Sequence, residues 1–369
     1  MNPLEGNVMK QRLRGISRSR SSIAAIATAA LIVSMSACGS SGGSASDTAD
    51  GGTQQEATIT VGLQLGTLAT YSAELAQRLG YYKQENLNVK LITANSTANG
   101  VSGIVGGSID FYFGGPEALI ANAKDNAGLV LIASTGNTSS FNIVSAPQYN
   151  TVASLKGQTF AVSSKTSIST VASQGAFVAQ GLPLDAVKQV VIGSTSARWA
   201  ALKAGKVAAT SLGEPLIPQA RGQGFNILGY TDVDLGGPTL LTGAIAAKAS
   251  WVKTHADVTK RFLTAIMKVV GAYYDPKMLD TLAPLVAKGI SIPLELAKAA
   301  IPDTFSDKTL QQSPKDMHID MTALLNSAKA EQSVGAIPKD ADLEALVKSS
   351  VDGSYAAAVA KSLGIPASS

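Results

Sequence analysis

The sequence predicts an α/β chain of two similar lobes with a helical C-terminal part. One unit occurs twice without a gap, from Leu87 to Gly115 and from Asp185 to Gly213, at a constant offset of 98 residues. Ser96-Thr97 meets Ser194-Thr195, Gly107 meets Gly205, and Gly115 meets Gly213. Each copy reads as an apolar strand, a Ser-Thr turn, a helix, a Gly turn and a short apolar strand. A repeat this long and asymmetric marks two lobes rather than a short-period solenoid. Beyond residue 250 the apolar spacing turns helical, as in Val258, Phe262, Ile266 and Val269-Val270.

Length and composition narrow the function classes. A chain of 369 residues has room for two or three domains. Lys10, Arg12, Arg14, Arg18 and Arg20 against Glu5 account for the whole formal charge of +4, so the remainder is neutral. No basic surface is left to argue for nucleic acid. Cys38 is the single cysteine, which excludes an internal disulfide. His255 and His318 are the only histidines and lie far apart, which argues against a His/Cys metal site.

In chain order, residues 1–37 read as a signal peptide. The basic stretch Lys10–Arg20 precedes an apolar run from Ile23 to Val33. Such a run spans about 16 Å as a helix, short of the roughly 30 Å of a bilayer core. It ends in Met35-Ser-Ala-Cys38, which resembles a bacterial lipoprotein cleavage site with Cys38 as the acylated residue. Met35 stands where Leu is usual. Residues 38–56 are rich in Gly, Ser, Asp and Thr and read as a disordered tether. The body opens on the alternating strand Ala57–Gly62 and a helix over about Ser72–Leu79. In the C-terminal part the spacing predicts helices over Val258–Tyr273, Leu279–Ala287, Leu294–Ala300, Met321–Ala330 and Leu343–Ser349, with a loop over 303–318.

Four segments carry a family resemblance. The stretch from Thr60 to Leu119 resembles the opening of solute-binding proteins of ABC importers, in the group that includes alkanesulfonate, nitrate and taurine binders and binders of thiamine pyrimidine precursors. Val152–Val162 is similar to the family's S-x-x-D-L-K-G-K-x-I-A-V segment, with Ser154 in place of Asp. Ala200–Ala209 is similar to A-L-x-x-G-x-V-D-A, and Gly213-Glu-Pro215 to W-E-P without its Trp. The resemblance covers about residues 57–270. It implies a two-lobed periplasmic binding protein fold of type 2, with two crossing hinge segments. Lobe I would comprise 57–143 and 243–369, and lobe II 147–240. Pro147 and Gly236-Gly237-Pro238 stand where breaks are expected.

The candidate site follows from strand ends and from that resemblance. Ser or Thr at a helix start caps free N–H groups, and the same helix end suits an anion. Each such hydroxyl therefore has two readings, cap or ligand contact. The implied loops are Gln64, Gly66, Thr67 and Tyr71; Ser96, Thr97 and Asn99; and Gly114-Gly115-Pro116-Glu117. Lobe II would add Ser164, Thr166 and Ser167 from the stretch Ser163–Ser167, then Ser194 and Thr195, and Glu214. Arg198 falls in the first turn of a helix, where a cation opposes the dipole. It either pairs with a ligand sulfonate or carboxylate or reaches water. Glu117 and Glu214 either receive an amine or ring N–H, or bridge and cap. Tyr71, Tyr112 and Phe113 either stack on a ring or pack in the core. Trp199 and Trp251 read as packing residues.

The function these features imply is an extracytoplasmic receptor that captures a small organic solute, a sulfonate- or carboxylate-like anion in first place. Its partners would be an ABC permease and its ATPase. It would be a monomer held at the outer face of the cytoplasmic membrane by a lipid anchor only, with no cofactor and no metal. A heteroaromatic solute, such as a thiamine pyrimidine precursor, is the second reading. The competing classes are an exported α/β enzyme and a sensory lipoprotein that feeds no importer. The body from residue 57 onward holds no Gly-x-Ser-x-Gly elbow, Walker sequence or dinucleotide fingerprint, and neither histidine sits in a motif. Some relatives use the fold in pyrimidine synthesis, a role at odds with an exported, tethered chain.

Overall fold

The computed structural model describes residues 55–63, 67–94, 96–139, 141–183, 185–305 and 314–368. The signal segment, Cys38, the tether up to residue 54, Gln64 and Gly66 lie outside the described residues.

The first sheet holds β1 (Ala57–Leu63), β2 (Leu87–Thr93), β3 (Phe111–Gly114), β4 (Leu129–Gly136) and β10 (Gly243–Lys248). The second holds β5 (Asn142–Ser145), β6 (Thr159–Val162), β7 (Lys188–Val191), β8 (Ala209–Leu212) and β9 (Asn226–Tyr230). Their orders are β2-β1-β3-β10-β4 and β7-β6-β8-β5-β9. The first three strands of each order run parallel, and the fourth is antiparallel to its neighbours. That fourth strand makes the crossing: β5 carries the chain into the second sheet and β10 returns it to the first. Two α/β lobes of matching topology result, as the repeat predicts.

The helices are α1 (Leu68–Arg78), α2 (Tyr81–Gln84), α3 (Thr97–Val105), α4 (Ala118–Asp125), α5 (Ile168–Ala179), α6 (Thr195–Lys203) and α7 (Leu216–Gly222). The C-terminal part adds α8 (Ala249–Thr254), α9 (Ala256–Tyr274), α10 (Leu279–Gly289), α11 (Leu294–Thr304), α12 (Met321–Ser333), α13 (Leu343–Ser349) and α14 (Ser354–Ser362). Sequence spacing anticipates α9 to α13 and misses α8 and α14. The loop expected over 303–318 starts later, because α11 runs to Thr304. The repeat holds in register: α3 and α6, and β3 and β8, begin and end at residues 98 apart. Gly107 and Gly205 turn each helix into the next strand at φ of 75° and 66°, backbone that a side chain disfavours.

Strand alternation divides the first lobe's core into two faces. Phe111 and Phe113 point to one face, with Phe262 of α9 stacked on Phe111 at 4.2 Å between ring centres. Tyr112 points to the other, among Ile104, Leu119 and Leu324. Trp199 and Trp251 pack as predicted, edge-on to Phe225 and Phe111 respectively. Most of the C-terminal helices cover the first lobe, while α12 also packs on α5 and α11 on α7 of the second.

Candidate functional site

Four helix N-termini converge on a cleft between the lobes. Thr67 caps α1 with its hydroxyl on the N–H of Thr70. Thr97, Ile168 and Thr195 are the first residues of α3, α5 and α6. All four residues line one cavity of about 110 Å³. They meet because parallel strands of both sheets end at the same crevice, where each strand hands over to a helix. Each helix end brings unpaired N–H groups and roughly half a positive charge.

Arg198 adds a whole charge. It sits one turn into α6 and is only 3% exposed. Its Nη1 donates to the Gly193 carbonyl, and its Nη2 to Thr195 Oγ1 at 3.3 Å and the Ser211 carbonyl at 3.4 Å. Its Nε has no partner, and among the described residues no carboxylate pairs with it. Burial lowers its pKa to about 10, so it remains a cation at neutral pH. A buried cation without a counter-ion is costly. An anion brought to such a group would offset that cost.

One acid faces this field. Glu117, just before α4, is 8% exposed. Its Oε1 accepts the N–H of Ile168 across the cleft at 3.3 Å, and its Oε2 has no partner. Burial raises its pKa, partly offset by backbone N–H groups of Ile168 and Gly115. A Cβ at Gly115 would collide with Oε2, so glycine is what lets the carboxylate fold back there.

Of the residues anticipated from sequence, Thr67, Thr97, Gly115, Glu117, Ser167, Thr195 and Arg198 border the cleft. Ser96 and Ser194 act as caps, accepting the N–H of Asn99 and of Ala197. Ser164 and Thr166 border an adjoining pocket of about 220 Å³ instead. Tyr71 is a correction. It is fully buried, and its hydroxyl donates to the Leu285 carbonyl at 2.8 Å, because its place on α1 faces the helical layer. Tyr112 likewise lies in the core, and only Phe113 of the three aromatic residues reaches the cleft. Glu214, joined to Pro215 by a cis peptide bond, does not line the cleft. Sequence reasoning missed Thr135-Gly136, Thr242-Gly243 and Phe141, which do. The signal for the first four was a Thr-Gly pair at a strand end, and β10 runs antiparallel, so its start reaches the same crevice; Phe141 had none.

Residues 72–277, more than half of the chain, match the family model described as NMT1/THI5 like. The chain belongs to the NMT1/THI5-like family. No curated protein sequence matches it significantly. Solved structures match at the level of fold. The alkanesulfonate-binding protein SsuA from Xanthomonas axonopodis pv. citri, bound to MOPS, aligns at TM-score 0.65 and 17% identity, over 81% of this chain and 99% of that one. The periplasmic nitrate-binding protein NrtA from Synechocystis PCC 6803 aligns at 0.67 and 14%, over 84% and 90%. The periplasmic aliphatic sulphonate binding protein SsuA from Escherichia coli aligns at 0.60 and 20%, over 79% and 97%. The fold is that of a periplasmic binding protein, in agreement with the group to which the sequence motifs point.

Proposed function

We propose that this chain is the extracytoplasmic solute receptor of an ABC importer and that it binds a compact organic anion, sulfonate- or carboxylate-like, between its lobes. The observation that carries this reading is Arg198, a buried guanidinium with a free Nε and no carboxylate partner, set where four helix N-termini meet. A tetrahedral or planar oxyanion satisfies both features at once. The ligands for which these structural neighbours are named, an alkanesulfonate and nitrate, are anions too.

Size supports a small solute. The cavity of about 110 Å³ is well below the roughly 300–1,000 Å³ of pockets for drug-sized ligands. The heteroaromatic alternative loses Tyr71 and Tyr112, which are core residues, and keeps Phe113 and Phe141 on the cleft wall. No helix among the described residues is long and apolar enough to cross a membrane. Export by residues 1–37, a lipid anchor at Cys38, delivery to a permease with its ATPase and action as a monomer are part of the same reading. The lobes would span 57–143 with 243–369, and 147–240.

The test is calorimetric titration of the chain with methanesulfonate, larger alkanesulfonates, nitrate, acetate and a pyrimidine, beside Arg198→Ala. Binding of an anion by the wild type and its loss in the variant is the expected result. Binding of the pyrimidine alone would discard the anion reading. Radiolabelled palmitate on the full chain, absent from Cys38→Ser, checks the anchor.

A further inference from the structure

Glu117 and Arg198 stand in the same small cavity, one from each lobe, and do not pair with each other. An anionic solute that neutralises Arg198 leaves Glu117 as the one acidic side chain, among the described residues, that lines the cleft. Among the described residues no cation forms an ion pair with it. Tyr112 of β3 and Glu331 of α12 face it, and Thr97 of α3 lies on the cleft wall beside it. Glu331 is fully buried, with both carboxylate oxygens unpartnered. Lys124 and Asp125 of α4 border the adjoining pocket, which Glu117 and Thr97 also line. What Glu117 does receive is the N–H of Ile168, at the N-terminus of α5. The chain's own carboxylate thus occupies one of the four helix ends. An incoming oxyanion is left Arg198 and the ends of α1, α3 and α6.

We infer that Glu117 is a charge filter: it admits solutes with one negative charge and rejects dianions, because a second negative charge in this cavity would lie against its unpartnered Oε2. The inference rests on the receptor reading above and specifies its substrate class. Its physical basis is the strength of like-charge repulsion away from water. Two charges a few Å apart in a partly buried site repel by several times what they would in solution. Closure of the lobes on a dianion would have to overcome that repulsion, while closure on a monoanion would not. Burial holds both Glu117 and Glu331 above the usual carboxylate range, so the filter weakens as pH falls and Glu117 takes a proton.

Methanesulfonate and sulfate make the discriminating pair of probes, since they share a tetrahedral oxyanion shape and differ by one charge. The wild-type chain should bind methanesulfonate at least about tenfold more tightly than sulfate. Glu117→Gln keeps an oxygen for the Ile168 N–H and removes the charge. It should cut that ratio about tenfold, mainly by tightening sulfate. In the wild type the ratio should also shrink as pH is lowered, which tests the idea without any variant. Equal binding of the two probes by the wild type, or an unchanged ratio in Glu117→Gln and across pH, would overturn the filter while leaving the receptor reading in place. Failure of both probes and of the larger alkanesulfonates, nitrate and acetate to bind the wild type would overturn the anion-receptor reading and the filter together.

Discussion

Two buried side chains carry opposite lessons. Arg198 keeps its charge where no carboxylate among the described residues pairs with it, which makes it the residue on which solute affinity should depend most. Arg198→Ala should weaken anion binding by about 2–5 kcal/mol, and Arg198→Lys should not restore it, since a lysine lacks the fork that bonds two oxygens at once. Titration calorimetry of both variants checks this. Glu331 is buried with neither carboxylate oxygen partnered, so its pKa is raised well above the ordinary 4.5. The folded chain therefore holds its proton more tightly than the unfolded chain. This contribution favours folding below pH 4.5 and is lost as pH rises through the folded-state value. Glu331→Gln should then raise stability at neutral pH by about 1–3 kcal/mol and flatten its decline above that range. Denaturant titrations at several pH values would show a parallel pH profile if the carboxyl were instead solvated. Sequence alone marked Arg198 by its awkward place on the helix dipole. It had no signal for Glu331, which lies one residue past the helix that the spacing predicts over Met321–Ala330.

At the level of elements, the duplicated unit gives matched expectations. Ser96 and Ser194 cap α3 and α6 in the same way. Replacing either with Ala should cost about 1 kcal/mol of stability, a typical price for a lost cap, with little change in affinity. Thr195→Ala should do the reverse, because Thr195 borders the cleft and bonds Arg198 Nη2. Chemical denaturation and solute titration on the same three variants separate the two roles. If Ser194→Ala loses affinity and keeps its stability, the assignment of cap and contact is inverted. The strand-turn-helix units and their Ser-Thr junctions were legible because they depend on near neighbours in the chain. Tyr71 was misjudged for the same reason. Its position near a helix start suggested the cleft, while packing against α10 turned it inward to Leu285.

For the whole molecule, the two crossings are the places where closure must act. Asn137 donates to the His318 carbonyl at 2.9 Å and its Oδ1 accepts the Asp320 N–H at 3.2 Å, while Ser327 of α12 bonds the Leu241 carbonyl at 3.2 Å. The C-terminal helices thus hold both crossing segments to the first lobe, and Glu117 and α12 meet α5 of the second. A solute that contacts both lobes favours the closed arrangement by its differential affinity for it. Small-angle scattering should show a smaller radius of gyration with saturating methanesulfonate for the wild type, and no change for Arg198→Ala. A wild-type chain whose radius ignores a bound anion would argue for a rigid receptor.

The sequence by itself determined the two α/β lobes, the register of the duplicated unit, most of the C-terminal helices and the family. Each of these is written in periodicity, capping chemistry and short motifs, which act over a few residues. Only the tertiary structure decided which strand ends share one crevice, that Arg198 is buried there without a counter-ion, and that Glu117 reaches across to α5. Those facts depend on contacts between residues far apart in the chain, and on which charges folding removes from water.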